Sequence, residues 1–175
     1  MSASSTVGFI GLGIMGRPMA RNVLKGGFPL VVYDLQPGPV PDLVQAGATA
    51  ATSPRAVAAV ADIVLLCLPD SPDVQAAMRG PDGVLAGVKP GQIIVDMSTI
   101  SPVAARELAA AAAEQGTTLL DAPVSGGEMG AQNGTLSIMV GGEAAGLPEA
   151  MLLLRRMGQR IRRMGASGAR QATKV

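Results

Sequence analysis

The stretch that most constrains the fold lies near the start of the chain, where a short apolar run meets three closely spaced glycines. Residues 7–10 are apolar and predict a buried strand. Gly11, Gly13 and Gly16 follow with the spacing G-x-G-x-x-G, and residues 15–23 then show apolar side chains one helical turn apart. A strand, a glycine turn and a helix in this order are typical of a dinucleotide-binding unit.

Each glycine in this pattern has its own physical role. Gly11 permits the tight turn, Gly13 allows a pyrophosphate to approach the backbone, and Gly16 allows the helix to lie close to the strand. The N-terminus of the helix offers unpaired N–H groups to the phosphates. The alternative is a glycine-rich turn in an ordinary strand–helix–strand unit that binds no nucleotide.

An acidic residue at the expected distance supports the nucleotide interpretation. Residues 29–33 predict a second strand that ends at Asp34, 18 residues after Gly16, where a carboxylate binds the adenosine ribose hydroxyls. The carboxylate would repel a 2′-phosphate, and the next residue is Leu35 rather than an arginine. We therefore favour NAD over NADP, while the alternative treats Asp34 as a solvated loop acid.

The remainder of the chain alternates between apolar runs typical of buried strands and the spacing of apolar residues typical of helices. Near-continuous apolar strands separated by helices predict an α/β fold with a doubly wound, mostly parallel sheet, of the Rossmann type. We expect no internal repeat and no long linker. Predicted strands cover residues 48–51, 62–69, 92–96, 117–121, 135–140 and 160–164; predicted helices cover 40–45, 54–61, 73–79, 101–115 and 147–154; residues 122–134 are predicted to be a glycine-rich loop.

Ligands of such sheets bind beyond the carboxyl ends of the strands. This rule selects the glycine turn and Asp34, and it adds Leu68-Pro69, Ser98-Thr99 and residues 123–127. We expect all of them to face one crevice.

Two further candidates remain ambiguous when only the residues are considered. Ser125, Gly126 and Gly127 offer a hydroxyl and open backbone N–H groups that suit a small carboxylate, or they form a turn that only redirects the chain. Lys174, one residue from the end, is by itself most simply a solvated charge.

Composition excludes several classes of function. The formal charge of +1 gives no electrostatic footprint for nucleic acid or a membrane surface, and the arginines of residues 155–163 are explained most simply as solvated. No apolar run reaches the length of about 18 residues needed to span a membrane, and the first residues lack signal-peptide features, which favours the cytoplasm. With no histidine and Cys67 as the single cysteine, we predict no metal site.

Several ordered motifs together resemble the β-hydroxyacid dehydrogenases, a family that includes 3-hydroxyisobutyrate dehydrogenase and tartronate semialdehyde (2-hydroxy-3-oxopropionate) reductase. The resemblance covers nearly the whole chain, and the motifs after Gly126 look most like the second enzyme. The motifs are Gly-Leu-Gly-Ile-Met-Gly-Arg-Pro-Met-Ala-Arg-Asn at 11–22, Cys-Leu-Pro at 67–69, Asp-Met-Ser-Thr at 96–99, Asp-Ala-Pro-Val-Ser-Gly-Gly at 121–127 and Gly-Thr-Leu at 134–136.

The resemblance implies roles for the matching positions. Lys174 matches the catalytic lysine, which would exchange a proton with the substrate oxygen while hydride passes between nicotinamide and carbon. The lysine motif is imperfect, because Arg170 stands where the family has glycine. Ser125, Gly126 and Gly127 would bind the substrate carboxylate; Gly11, Leu12, Gly13, Ile14, Met15, Gly16 and Asp34 would hold the NAD pyrophosphate and ribose; Leu68, Pro69 and Thr99 would line the nicotinamide half.

The resemblance also implies a domain organisation. Residues 1–165 would form the NAD-binding Rossmann domain, and residues 166–175 would begin the interdomain helix that leads to an all-helical domain in full-length, oligomeric relatives. We expect such an N-terminal domain to bind NAD weakly and to turn over poorly by itself. Two alternatives remain: a non-catalytic NAD-binding module, and imine reduction on the same fold, against which Lys174 and Asp34 both argue.

Overall fold

The computed structural model describes residues 5–143 and 146–165, which form two β-sheets flanked by helices. The strands are β1 (Val7–Ile10), β2 (Leu30–Tyr33), β3 (Thr49–Ala50), β4 (Ile63–Leu66), β5 (Ile93–Asp96), β6 (Thr118–Asp121), β7 (Val124–Ser125), β8 (Leu136–Val140) and β9 (Gly158–Arg163). The helices are α1 (Gly16–Lys25), α2 (Val40–Gln45), α3 (Pro54–Val60), α4 (Ser71–Arg79), α5 (Pro102–Glu114), α6 (Gly127–Asn133) and α7 (Leu147–Met157), with a short 3₁₀ turn at Val84–Ala86.

The first sheet has six parallel strands in the order β3-β2-β1-β4-β5-β6. This order is the one found in dinucleotide-binding folds, and it places a reversal between β1 and β4. The prediction of a doubly wound parallel sheet is therefore confirmed.

The continuous apolar strands are explained by cores on both faces of this sheet. Along β4, Leu65 points into a core shared with α1, α7 and the second sheet, whereas Leu66 points into a core shared with α3, α4 and α5. Both residues are fully buried. Because both faces are covered, the strands lack the alternation of an exposed sheet.

Side-chain caps stabilise the predicted starts of α3 and α5. Ser53 Oγ accepts a hydrogen bond from Ala56 N at 3.1 Å, and Ser101 Oγ accepts one from Ala104 N at 3.1 Å. Helix α4 begins at Ser71, two residues before the predicted start, because Asp70 caps it by accepting from Asp73 N.

The prediction of a loop over residues 122–134 is wrong. This segment forms β7, which pairs antiparallel with β8, and the helix α6, which ends at the left-handed Gly134. Strands β7, β8 and β9 make a second, three-stranded sheet. An antiparallel bridge between Asp121 and Gly141 joins this sheet to the end of β6.

Helices α1 and α6 are joined by a buried side-chain amide. Asn22, 8% exposed, donates from Nδ2 to the carbonyl oxygen of Ala131 at 2.7 Å. The contact spans more than a hundred residues of sequence and fixes α6 against the first βαβ unit.

Among the described residues, no helix combines the length and the apolar character that a membrane crossing requires.

Replacing Asn22 by alanine should destabilise the fold, because it leaves the carbonyl of Ala131 buried without its donor. We expect the free energy of unfolding to fall by about 1–3 kcal/mol, measured by chemical denaturation. Asn133→Ala is the matched control, since this asparagine is exposed at the end of α6. Equal stability of the two variants would contradict a structural role for the Asn22 amide.

Candidate cofactor site

The carboxyl ends of five strands lie in one row across the first sheet. The register pairs Ile10 with Tyr33 and Leu66, and it pairs Asp96 with Leu66 and Asp121. Backbone hydrogen bonds continue one residue further: Gly11 N donates to Tyr33 O, Cys67 N to Ile10 O, Met97 N to Leu66 O and Ala122 N to Asp96 O. The segments that the sequence selected after the strands β1, β2, β4, β5 and β6 therefore begin along a single edge.

The glycine turn is packed so closely that two of its glycines cannot carry a side chain. Gly11 has a φ of +93°, and a Cβ there would lie 2.3 Å from the carbonyl oxygen of Cys67. A Cβ on Gly16 would lie 1.9 Å from the carbonyl oxygen of Gly11. The tight turn and the close helix–strand approach expected from the sequence are both present.

Gly13 differs from these two glycines, because a Cβ built on it meets no atom within 4 Å. The open space lies over the backbone of the turn, at the start of α1. A missing side chain at this position therefore serves no internal packing, and the space suits a group that approaches from outside.

Asp34 connects the end of β2 to the glycine turn. Its Oδ2 accepts a hydrogen bond from Leu12 N at 2.6 Å, and its Oδ1 accepts one from Gln36 N at 2.7 Å. The side chain of Leu12 is buried in the core, so this residue contributes only backbone to the site. The carboxylate fixes the turn as well as presenting a negative charge beside it.

The turns after β4 and β5 are joined by another side chain. Ser98 Oγ accepts a hydrogen bond from Leu68 N at 2.9 Å, and Ser98 N donates to Asp96 Oδ1 at 3.0 Å. Leu68 is half-buried, whereas Pro69 and Thr99 are exposed at the same edge. The sequence analysis selected Leu68, Pro69 and Thr99, but it gave Ser98 no role of its own.

A cleft of about 510 Å³ opens beside Gly13. Its walls include residues of α1, α2 and α6 that the sequence analysis did not assign to the site, because nothing in their spacing along the chain distinguishes them from ordinary residues of a helix surface. Arg17 and Arg21 on α1 are four residues apart, as are Glu128 and Gln132 on α6, which places each pair on one helix face. The lining residues are Leu12, Gly13, Ile14, Arg17, Pro18, Arg21, Asp42, Glu128 and Gln132.

The charges in this cleft are partly neutralised by each other. Arg21 Nη2 contacts Asp42 Oδ1 at 2.5 Å, with both side chains partly exposed. The hydrogen bond from Arg21 holds the pKa of Asp42 below its usual range and raises that of Arg21, and the charge of Arg17 adds a smaller lowering of the Asp42 pKa. Arg17 thus brings positive charge to the side of the turn where Gly13 is open.

Ser125, Gly126 and Gly127 are exposed and link β7 to α6. Gly126 and Gly127 have φ values of +139° and +62°, so the sharp change from strand to helix depends on glycine at both positions. The next residue, Glu128, lines the cleft beside Gly13. Lys174 and Arg170 lie outside the described residues.

Two buried acids lie at the edge behind these loops. Asp96 and Asp121 are each 2% exposed and occupy matched positions on β5 and β6. Burial, with a contribution from the Asp121 charge, raises the pKa of Asp96 to about 6, and hydrogen bonds from Ser98 oppose that rise. Burial also raises the pKa of the Cys67 thiol to about 12, which makes it an inert core thiol.

The described residues contain no group of three or more cysteine or carboxylate side chains that could hold a metal ion.

Comparison with known proteins identifies the family. Residues 6–165 match the NAD binding domain of 6-phosphogluconate dehydrogenase. The chain belongs to this family. The resemblance to the β-hydroxyacid dehydrogenases is confirmed by this match together with relatives such as 3-hydroxyisobutyrate dehydrogenase of Pseudomonas aeruginosa, which is 47% identical over 169 residues, 97% of this chain and 57% of the relative. The strand order is that of a dinucleotide-binding domain.

Individual relatives refine the comparison. NAD-dependent L-serine dehydrogenase of Pseudomonas aeruginosa is 48% identical over 169 residues, which are 97% of this chain and 57% of the relative. A structure of Mycobacterium tuberculosis 3-hydroxyisobutyrate dehydrogenase with L-serine is 38% identical, with a TM-score of 0.92 over 98% of this chain and 58% of that one. Psf3, solved in complex with NADP⁺ and 2-OPP, is 36% identical with a TM-score of 0.92, over 96% and 60% of the two chains. The chain therefore spans less than two thirds of these relatives.

Alanine substitutions at Gly16 and at Gly13 should separate the packing role of the turn from its binding role. Gly16→Ala should lower the free energy of unfolding by about 1–3 kcal/mol, because its Cβ would overlap the Gly11 carbonyl. Gly13→Ala should change stability by less than about 0.5 kcal/mol but weaken dinucleotide binding, because the methyl group occupies the open space. Denaturation curves and calorimetric titration measure the two effects. A Gly13→Ala variant that binds normally would exclude this space from the site.

Proposed function

We propose that this chain is the cofactor-binding part of an NAD-dependent dehydrogenase that acts on small 3-hydroxy acids. The observation that carries the proposal is the open space over Gly13, between two glycines whose missing side chains are needed for packing. The space lies at the start of a helix, at the edge where the strand order reverses. Backbone N–H groups and a helix dipole at this position suit a pyrophosphate.

Asp34 supports NAD rather than NADP as the cofactor. Two backbone N–H groups hold its carboxylate beside the turn. It lies 18 residues after Gly16, close to the spacing at which an acid accepts hydrogen bonds from the ribose hydroxyls. A 2′-phosphate would bring negative charge against it. The residues that follow, Leu35 and Gln36, carry no positive charge, and the guanidinium of Arg21 is already engaged by Asp42.

The substrate class follows from the chemistry shared by the candidate substrates. L-Serine, 3-hydroxyisobutyrate and the glycerate formed from tartronate semialdehyde all have the form HO–CH₂–CH(X)–COO⁻, where X is amino, methyl or hydroxyl. We assign Ser125, Gly126 and Gly127 to the carboxylate. Their exposure and the positive φ angles of the two glycines leave a hydroxyl and backbone N–H groups open to an oxyanion.

The remaining chemistry needs a proton carrier. The nicotinamide, when bound, takes a hydride from the hydroxyl-bearing carbon and returns it in reduction. Lys174 removes the hydroxyl proton during oxidation and donates it to the carbonyl oxygen during reduction. A free lysine has a pKa of about 10.4, so this role requires surroundings that favour the neutral amine.

A second candidate function is a non-catalytic NAD-binding module. It is served equally by the open space over Gly13 and the carboxylate of Asp34, because nucleotide binding at these groups needs no proton carrier. NADH binding without turnover of L-serine, 3-hydroxyisobutyrate or tartronate semialdehyde would support it. Turnover of any of the three would exclude it.

Cofactor choice should depend on the charge of Asp34. Calorimetric titration of the 175-residue chain should show NADH binding more tightly than NADPH. Asp34→Ala should weaken NADH binding about tenfold, because the ribose and the turn both lose an acceptor. Asp34→Asn should also reduce the preference for NADH over NADPH. It should lose less NADH affinity than Asp34→Ala, since the amide oxygen can still accept from Leu12 N.

Asp82→Ala serves as the control, because Asp82 is exposed and remote in sequence from the turn. An unchanged preference for NADH in both Asp34 variants would remove this carboxylate from the site. Absence of binding to either nucleotide would overturn the proposed function.

Proton transfer should depend on Lys174. In the longest active form of the protein, Lys174→Ala should lower kcat by a factor on the order of 10²–10⁴ while NADH affinity is retained. Lys174→Arg should be similarly impaired, because a guanidinium keeps the charge but does not release its proton. Steady-state kinetics and nucleotide titration measure the two quantities. Substantial turnover in both variants would contradict the acid–base assignment.

A further inference from the structure

We propose that Arg17 binds the pyrophosphate of the dinucleotide, and that its charge destabilises α1 when no nucleotide is bound. The proposal rests on the proposed function for the identity of the ligand. It adds one charged side chain to the backbone N–H groups of the glycine turn, and this side chain reaches the open space over Gly13 from the cleft.

The first step is the position of Arg17 directly after the glycine turn. It is the second residue of α1, and its backbone N donates to the carbonyl oxygen of Gly13 at 3.1 Å. Side chains of a helix lean toward the N-terminus and cover the preceding turn, which directs Arg17 toward the glycines. Its exposed side chain lines the cleft of about 510 Å³ together with Gly13 and Ile14. Arg17 therefore borders the space that Gly13 leaves open.

The second step is that this charge is little used within the described part of the chain. One turn further along α1, Arg21 forms an ion pair with Asp42. Arg17 makes no ion pair and no side-chain hydrogen bond there, and Asp42 attracts it only at longer range. The other acid of the cleft, Glu128, accepts a hydrogen bond from Gln132 Nε2 at 3.0 Å. The guanidinium of Arg17 is thus available to an anion from outside.

The third step is that the same charge is unfavourable for the helix itself. The N-terminus of a helix carries partial positive charge, which acidic residues stabilise and basic residues oppose. The first turn of α1 contains Arg17 but no acidic residue, and Met15 at the N-cap supplies no side-chain hydrogen bond. Helix α4 shows the usual arrangement, with Asp70 as its cap and Asp73 in its first turn. A negatively charged ligand over the turn would be attracted by both the N–H groups and the guanidinium of α1.

The position of Arg17 also distinguishes between the phosphate groups of a dinucleotide. A 2′-phosphate lies beside the acid that follows β2, which is Asp34 in this chain, whereas the pyrophosphate lies at the start of α1. Arg17 borders Gly13 at the start of α1. We therefore expect Arg17 to contribute equally to the binding of NADH and NADPH, and not to the choice between them.

Three substitutions of Arg17 test the charge, and a fourth substitution elsewhere is the control. Arg17→Gln removes the charge, Arg17→Lys keeps it and Arg17→Glu reverses it. Arg106→Gln is the matched control, because Arg106 is also an exposed arginine of a helix. It lies within α5, which packs on the opposite face of the first sheet from α1.

Binding is measured by calorimetric titration with NADH and with ADP-ribose, which has the same pyrophosphate but no nicotinamide. Arg17→Gln should weaken both ligands about three- to tenfold, and Arg17→Glu should weaken them further. Arg17→Lys should retain most of the affinity, and Arg106→Gln should bind as the unmodified chain does. Because Arg17 is exposed, the loss in Arg17→Gln should shrink as the salt concentration rises.

The effect on the helix is measured by the melting temperature without nucleotide. Arg17→Gln and Arg17→Glu should raise it by about 1–3 °C, because an unfavourable charge leaves the start of α1. This gain exceeds the loss of the screened attraction to Asp42. An unchanged melting temperature in both variants would overturn the destabilising role. Weaker binding together with a lower melting temperature would identify Arg17 as a structural residue and overturn the proposal.

The binding results separate this proposal from the proposed function. If the unmodified chain binds neither NADH nor ADP-ribose, both fail. If NADH binds and Arg17→Gln leaves its affinity unchanged, only the role of Arg17 is overturned. A loss for NADH without a loss for ADP-ribose would assign Arg17 to the nicotinamide half, and a loss confined to NADPH would assign it to the 2′-phosphate. Either result would overturn the pyrophosphate assignment.

Discussion

The packing of the Gly11–Gly16 turn against the end of β4 is the contact on which the rest of the sheet edge depends. Gly11 lies on the carbonyl of Cys67, and Gly16 lies on the carbonyl of Gly11. A side chain at either position would displace backbone rather than a flexible side chain. The start of α1, the turn after β4 and the carboxylate of Asp34 are therefore held in one arrangement, and the open space over Gly13 is its product.

The sequence predicted the first sheet well because burial on both faces leaves a strong signal. A run such as residues 63–66 is apolar at every position, and Ser-Pro pairs mark the starts of α3 and α5. The secondary structure of the segment after Pro123 was harder to predict. Its glycines suggested a loop, although Gly126 and Gly127 set up a helix and Gly134 ends it. Local glycine content does not distinguish a loop from two close turns around a short helix.

The sequence predicted the parts of the candidate site that are defined by spacing along the chain. It did not predict the parts formed by residues that meet only in the folded structure. The glycine spacing and the distance to Asp34 can be counted along the chain, and residues 6–165 match a family of NAD binding domains. The pair of Asp96 and Asp121 cannot be found in this way, because 25 residues separate them and only the register of β5 and β6 brings them together. The same holds for Glu128, which reaches the cleft because Asn22 fixes α6 against α1.

The second sheet has a further consequence for how copies of the chain meet in solution. Within the described residues, β9 lies at one edge of this sheet and carries Arg160, Arg162 and Arg163 as exposed side chains. An open strand edge is a template on which another chain can pair, and aligned like charges make such pairing unfavourable. Two copies that approached through β9 would bring arginine against arginine. The positive stripe therefore disfavours strand pairing between copies of the chain along this edge.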